Sequence, residues 1–329
     1  MDKPIDFLAI GDTTTDAFIR LKDAQVNCRV DTGACEICMR FAEKIPYEFA
    51  EVVRAVGNAP NAAVSAARLG LSTGLITNMG DDQNGLECAE VLKKEGIDTQ
   101  YVQVHKGKET NYHYVLWYEA DRTILIKHNE YDYALPALVS LPKWLYLSSF
   151  RGTERYHQEL MKFVSSHPDM KVAFQPGKME IKLGVDYLRT LYEHTDFFCL
   201  NLEEARVVLG NNDEPKKLLE GLHALGPKIV AITDGPKGAY LLDDSGAWFH
   251  PIYPDPKPPY ERTGAGDAFA STFVAALALG KDTMEALRCA LINPTFVVQY
   301  VGAQKGLLTR TELEKYLAQA PADFTPQRI

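Results

Sequence analysis

From about residue 140 onward, short apolar runs alternate with helical patterns, and no other feature of this 329-residue chain limits its fold as tightly. Residues 144–147 (Trp-Leu-Tyr-Leu), 171–174, 197–200 and 228–233 read as strands. Residues 155–164, 185–193 and 203–225 read as helical. Parallel neighbours need a crossover connection, and such crossovers are right-handed. The alternation therefore implies an α/β fold, a largely parallel central sheet with helices on both faces. The first half shows the same pattern. A buried strand at 7–10 ends in Gly11-Asp12, and an Ala-rich helix at 61–69 stops at Gly70. A strand follows at 75–79, then a helix at 85–95 with Leu86, Ala89 and Leu92 on one stripe and Gly96 behind it.

Two stretches break the alternation. Residues 18–55 are irregular, with charged residues beside short apolar runs. Residues 111–119 and 123–127 flank Ala120-Asp121-Arg122, a hairpin signature. Such strands form either a small sheet standing off the main body, placed to act as a lid, or an extra edge of the main sheet. The length allows one large domain or two ordinary ones. No repeat, low-complexity tract or linker marks a place to divide the chain in sequence.

Composition narrows the function classes. Apolar types make up 46% and charged types 24%, which excludes wholesale disorder. A net charge of −9, from 35 basic and 44 acidic residues, lacks the footprint of a nucleic-acid binder. It leaves room for a small anion held by local donors. The apolar stretch 268–279 carries Ser271 and Thr272 and falls short of the roughly 20 residues that span a bilayer. The chain opens Met-Asp-Lys-Pro-Ile-Asp with no basic-then-apolar leader, so a cytoplasmic protein with no membrane partner is expected. Cys28, Cys35, Cys38, Cys88, Cys199 and Cys289 are then expected as reduced thiols. Cys35-Glu-Ile-Cys38, with Cys28 seven residues earlier, supplies too few thiolates for a four-ligand zinc site.

Glu261-Arg262-Thr263-Gly264-Ala265-Gly266-Asp267 runs into Ala268-Phe-Ala-Ser-Thr-Phe-Val-Ala-Ala-Leu277, which is apolar on nearly every side. A buried helix with a fixed N-terminus presents free backbone N–H groups and its positive dipole end to an anion such as a phosphate. Asp267, in that first turn, is placed to take a proton from an attacking hydroxyl, as phosphoryl transfer requires. It is equally placed to act as a helix-turn carboxylate with no catalytic part. Neither a Gly-x-x-x-x-Gly-Lys-Ser/Thr loop nor Gly-x-Gly-x-x-Gly follows the first strand.

Thr263-Gly-Ala-Gly-Asp267 followed by Ala-Phe resembles the second signature of the PfkB carbohydrate kinases, the ribokinase-like family. Gly57-Asn-Ala-Pro-Asn61-Ala-Ala63, Ala67-Arg-Leu-Gly70 and Gly80-Asp-Asp-Gln-Asn-Gly85 resemble the first signature. Asn201-Leu-Glu-Glu204 is similar to the family's Asn-x-x-Glu, and Thr233-Asp-Gly235-Pro-Lys-Gly238-Ala to its nucleotide loop. The matches fall in family order over most of the chain. The resemblance implies a ribokinase-like core made of residues 1–17, 56–109 and 129–329, and a β-sheet lid made of 18–55 and 110–128. It implies transfer of the γ-phosphate of ATP to a hydroxymethyl group of a small sugar or nucleoside. Asp267 would be the general base, and Gly264, Ala265 and Gly266 the anion hole. Asp16, Gly57 and Asn61 would bind the acceptor, Asp12 and Asp16 being otherwise turn caps after the first strand. Asn201 and Glu204 would hold Mg2+ with the phosphates through water, Glu204 as the metal-side carboxylate. Thr233, Gly235 and Gly238 would line the nucleotide. A homodimer paired through the lid is compatible with the family.

Departures from the family pattern matter as much. Glu261-Arg262 replaces the usual Asp-Thr, which leaves activation by a monovalent cation (K+) open. Arg262 is a candidate charge near the phosphates or a surface side chain. Val56 stands where a glycine is usual, and Gln175-Pro-Gly177 near a usual Asp-Pro-Asn. A nucleoside acceptor wants an apolar slot, for which Phe41, Tyr112, Tyr114, Trp117 and Tyr118 are candidates. A sugar phosphate wants cations, for which Arg40, Lys44 and Arg54 are. ATP, ADP and GTP are not distinguished as donors. The reading from another class, a non-catalytic sensing protein on a kinase fold, would be expected to lack the base or the turn, and both are present.

Overall fold

The strand Phe7–Ile10 is buried on both faces and sits inside a sheet whose order reverses beside it. The computed structural model describes residues 4–28, 35–119 and 121–329. Outside these lie the first three residues, the centre of the irregular 18–55 stretch and Ala120 of the expected hairpin turn. From one edge, the main sheet runs Val102–His105, Thr73–Gly80, Phe7–Ile10, Trp144–Leu147, Lys171–Phe174, Phe197–Asn201 and Ile229–Thr233, all parallel. Gly238–Asp243, Gly246–Pro251 and Gln327–Arg328 then extend it antiparallel.

Alternation of side chains along each strand divides the core into two layers. Phe7, Ala9, Trp144, Tyr146 and Phe197 face a layer that includes Ala62, Phe269, Phe273 and Leu287. Leu8, Ile10, Leu145, Leu147 and Phe198 face Tyr156, Leu160, Leu218 and Leu222. Helix Ala265–Ala278 is buried continuously from Asp267 to Ala276, so its first turn is held rigidly. The strand order reverses between Phe7–Ile10 and Trp144–Leu147, and an open α/β sheet binds ligands at the carboxyl ends beside such a reversal. The two ends touch: a Cβ on Gly11 would lie 2.0 Å from the Ser148 carbonyl oxygen.

A separate four-stranded sheet orders Tyr47–Val56, Thr14–Leu21, Asn111–Tyr118 and Asp121–Lys127. The expected hairpin belongs to it and is not an edge of the main sheet. Thr14–Leu21 pairs antiparallel with Tyr47–Val56 and parallel with Asn111–Tyr118. Phe18, Val115 and Trp117 form its own small core with Val301. The stretch read as irregular is thus largely strand.

Three further expectations change. Of the helix expected at 185–193 only Arg189–Glu193 forms, and a separate short helix, Lys178–Leu183, precedes it and ends at Gly184 with φ 87°. The hairpin Gly238–Asp243 and Gly246–Pro251 has a two-residue turn, Asp244-Ser245, that the sequence reading passed over. Cys28 and Cys35, expected as free thiols, are bonded to each other. They are directly opposed in the antiparallel pair Gln25–Cys28 and Cys35–Cys38, with Cα atoms 4.0 Å apart. Cys38, Cys88, Cys199 and Cys289 are free. Among the described residues no helix is long and apolar enough to cross a membrane.

Candidate active site

Two cavities meet over the first turn of helix Ala265–Ala278. One, of about 400 Å³, is lined by Asp16, Gly57, Asn61, Asn201, Glu204, Gly264, Gly266 and Asp267 among others. The other, of about 300 Å³, is lined by Thr233, Gly235, Gly238 and Ala265, with Pro236, Ile252, Pro259, Phe269, Leu291 and Val298 making an apolar slot. Asn201, Thr233, Arg262 and Gly266 border both. The residues given site roles from the signature motifs, and Asp16, therefore each line one cavity or the other, and the glycine turn stands at their junction.

The turn is shaped by Gly264, which is left-handed at φ 81° and caps the helix. A Cβ there would lie 2.2 Å from the Ala303 Cβ, so only glycine fits. The first helical bond is donated by Ala268 N–H to the Gly264 carbonyl at 2.8 Å. The N–H groups of Ala265, Gly266 and Asp267 thus have no intrahelical acceptor and are available to an anion. Gly57 is equally constrained, with φ 122° and a would-be Cβ 2.5 Å from the Asp12 carbonyl oxygen.

Asp267 is buried and held by three amides. Asn58 Nδ2 and Gln175 Nε2 donate to Oδ1 at 3.1 and 3.2 Å, and Asn61 Nδ2 donates to Oδ2 at 2.8 Å. A carboxylate offers about four lone-pair sites, so one remains, on Oδ2, for an incoming hydroxyl. Burial raises the carboxyl above its ordinary value; the bonds from Asn61, Gln175 and Asn58 and the charge of Arg122 oppose that rise. Asn61 spends its polar groups inside the protein, since its Oδ1 also accepts from Gln304 Nε2 at 3.0 Å. It orients Asp267. Gln175, where the family pattern usually has an acid, joins in that task and accepts the Tyr146 hydroxyl.

Asp16 faces the first cavity beside His113, with Nδ1 3.3 Å from Oδ1. Asn201 caps helix Leu202–Leu209 in a reciprocal box: its Oδ1 accepts from Glu204 N–H at 2.8 Å, and Glu204 Oε2 accepts from Asn201 N–H at 3.0 Å. Glu204 Oε1 has no protein hydrogen bond among the described residues. Burial raises its pKa, and the Asn201 bonds oppose this. Among the described residues no group of three or more His, Cys, Asp or Glu forms a metal cage. A single free carboxylate oxygen in the first cavity, next to Asn201 at the junction, suits a cation ligated mostly by phosphates and water, as magnesium is.

The four-stranded sheet lines the first cavity with Phe18, His113, Arg122, Ile124 and Ile126. None of the aromatic candidates lines it. Trp117 is buried against Phe49 and Tyr260, and Phe41 is 97% exposed. The cation candidates are engaged elsewhere or project into solvent. Arg40 pairs with Asp23 and Glu43, Arg54 with Glu87, and Lys44 is exposed. Arg122 was not singled out in the sequence, because nothing local marks a hairpin arginine. It approaches Glu261, 3.5 Å from Oε1, while the same oxygen accepts from the Thr263 N–H and hydroxyl. Glu261, only 2% exposed, thereby ties the segment leading into the glycine turn to the four-stranded sheet.

The sequence pattern of the pfkB family carbohydrate kinases matches residues 32–310. The ribokinase of Bacillus subtilis (strain 168) is 30% identical over 268 residues, covering 80% of this chain and 87% of that protein. The nucleoside kinase of Methanothermobacter thermautotrophicus is 25% identical over 284 residues, covering 80% and 84%. Among solved structures, Arabidopsis thaliana ribokinase complexed with ribose and ATP superposes with TM-score 0.77 at 21% identity, covering 96% of this chain and 99% of that one. The Methanocaldococcus jannaschii nucleoside kinase does so at 0.76 and 19%, covering 97% and 100%. With its ribokinase fold and a family match over most of its length, this chain belongs to the pfkB family of carbohydrate kinases, enzymes that transfer phosphate to sugar hydroxyl groups.

Proposed function

We propose that this kinase transfers the γ-phosphate of ATP to a hydroxymethyl group of a small sugar or nucleoside. The observation that carries the reading is the junction: a fixed turn of free N–H groups lies between an apolar slot and a polar cavity, with Asp267 on the polar side. The apolar slot suits the nucleotide base, with Thr233, Gly235 and Gly238 along its phosphate side. Asp16, the Gly57 turn and His113 suit acceptor hydroxyls. Residues 1–17, 56–109 and 129–329 act as the core, and 18–55 with 110–128 as the lid.

In this mechanism Asp267 Oδ2 takes the acceptor's proton as its oxygen bonds to the γ-phosphorus and the bond to the β–γ bridging oxygen breaks. The N–H groups of Ala265, Gly266 and Asp267 meet the charge on the equatorial oxygens, and ADP leaves. Glu204, with water, would hold magnesium, which neutralises phosphate charge when bound. Sheet strands 111–118 and 121–127 keep water, the competing acceptor, away from the transfer.

Replacing Asp267 by Asn is expected to lower kcat at least 1000-fold in an assay of ADP release with a panel of sugars and nucleosides, with and without potassium. Nucleotide affinity should stay within about threefold, since Asn keeps the size of the side chain. A variant turning over at near wild-type rate would remove Asp267 from the mechanism.

A further inference from the structure

Beyond the junction, the acceptor cavity continues away from Asp267. A third cavity of about 350 Å³ shares Thr14, Gly57, Asn58, His113, Gln175 and Glu204 with the first and reaches the reversal point of the sheet. Its far wall holds Arg151, and Lys178 lies exposed at its rim. Arg151 follows the strand Trp144–Leu147, so the sheet aims it at the crevice where ligands of such folds sit.

Arg151 is half-buried, yet among the described residues it makes no hydrogen bond and no carboxylate lies at ion-pair distance from it. A guanidinium carries five donors in a planar fork that matches the two oxygens of a carboxylate or phosphate. Its neighbours Asp12 and Glu180 do not cancel it fully. Asp12 is pushed up to about 7 by burial, against the pull of Arg151, with Glu180 adding to the rise. Glu180, 1% exposed, is also pushed up to about 7 by burial and keeps Oε1 without a partner. At neutral pH and below, a protonated carboxyl is a donor as well as an acceptor, and both cations remain under-compensated. His128 Nδ1 and His113 Nε2 are also buried there without a hydrogen bond, His128 Nδ1 lying 3.8 Å from Asp12 Oδ2. Polar groups thus converge here whose hydrogen bonds the protein does not complete.

We propose that the acceptor carries an acidic group, a carboxylate or a phosphate, remote from the hydroxyl that is phosphorylated, and that Arg151 receives it with Lys178 at the rim. The assignment rests on the kinase reading for the direction in which the acceptor lies. It makes Arg151 a specificity residue for acidic sugars, in a place distinct from Arg40, Lys44 and Arg54.

Three probes decide it: an aldose, the aldonic acid of the same carbon number, and the corresponding aldose phosphate. Binding of each is measured by calorimetry, and phosphorylation of each in the presence of ATP. One acidic probe is expected to bind at least tenfold tighter than the aldose, and the better of the two identifies carboxylate or phosphate as the group. Arg151→Gln should shrink that preference at least tenfold, chiefly through KM, and Arg151→Lys should restore part of it. Equal or tighter binding of the neutral aldose overturns the proposal, as does an acid preference that Arg151→Gln leaves intact. An acid that binds through Arg151 without being phosphorylated would overturn its assignment to the acceptor and leave Arg151 as a separate acid site. Phosphorylation of the aldose alone would overturn the proposal and keep the kinase reading. Wild-type selectivity decides whether the acceptor is acidic even if both variants fold poorly.

Discussion

Asn61 shows how a residue's partners define its part. In the sequence it belongs to a Gly-Asn-Ala-Pro-Asn turn that resembles an acceptor-binding signature. In the fold its amide donates to Asp267 Oδ2 at 2.8 Å and its carbonyl oxygen receives Gln304. Because that donation favours the charged carboxylate, its loss raises a pKa that burial already holds high. Asn61→Ala is therefore expected to move the acid limb of the kcat/KM profile upward by about one pH unit, the worth of one hydrogen bond to a charge. Activity then falls far more on the acid side of the profile than on its alkaline plateau. If Asn61 served chiefly to contact the acceptor, KM would rise alike at all pH values and the limb would stay in place. The two roles part cleanly in one titration.

At the level of elements, the parallel strands were legible because each is a short run buried on both faces and bounded by a helix. Phe7–Ile10, Trp144–Leu147 and Lys171–Phe174 fall where their apolar runs do. Thr14–Leu21 was obscure since Thr14 and Asp16 are polar residues buried toward a cavity and Thr15 is buried on the other side against Cys88, which breaks the alternation of an ordinary half-buried strand. The motif residues of the site were legible for a different reason: backbone demands such as Gly57 and Gly264 admit a single residue type. Arg122 and Arg151 were illegible, because their importance arises from long-range placement. Arg122 joins the hairpin strand Asp121–Lys127 to the segment entering the glycine turn through Glu261, beside the edge contact of Trp117 with Tyr260. Removing the guanidinium alone leaves a buried carboxylate short of its cation. Arg122→Gln is thus expected to destabilise the protein by about 1–3 kcal/mol in urea melts. Adding Glu261→Gln should return part of the loss. Strictly additive effects of the two changes would show that the lid and the turn are not coupled through this pair.

For the molecule as a whole, a reversal point in a buried sheet concentrates polar chain ends where solvent is excluded, and stability bears the cost. Asp12 follows the strand Phe7–Ile10, 8% exposed, accepting the Tyr133 hydroxyl at 3.3 Å. Its carboxyl titrates near 3.8 when solvated and is pushed up to about 7 in the fold, chiefly by burial. Between those values the folded protein keeps a proton that the unfolded chain has released. Stability from this group therefore falls as pH rises toward 7, and the full loss is present above 7. Histidines oppose the trend in the same window: His128 is lowered to about 4, chiefly by burial, so the fold resists a proton that the unfolded chain accepts. Net stability then conceals the carboxyl, whereas a variant that alters it alone exposes it. Asn resembles protonated Asp and can still accept from Tyr133, so at pH 5, roughly one unit above the solvated value, Asp12→Asn should gain only about 1–2 kcal/mol. At pH 8 the wild-type chain must bury a charge there and the variant need not. Roughly two units of titration at about 1.4 kcal/mol each give a gain for the variant of about 2–3 kcal/mol between the two pH values. Urea midpoints at pH 5 and pH 8 measure that difference, with the contributions of histidines remote from Asp12 cancelling between the two proteins. His128, whose Nδ1 lies 3.8 Å from Asp12 Oδ2, is replaced by Gln in both to remove its own share. A gain that is the same at both pH values would mean that Asp12 is ionised throughout, paired with Arg151 and solvated well enough to keep its charge.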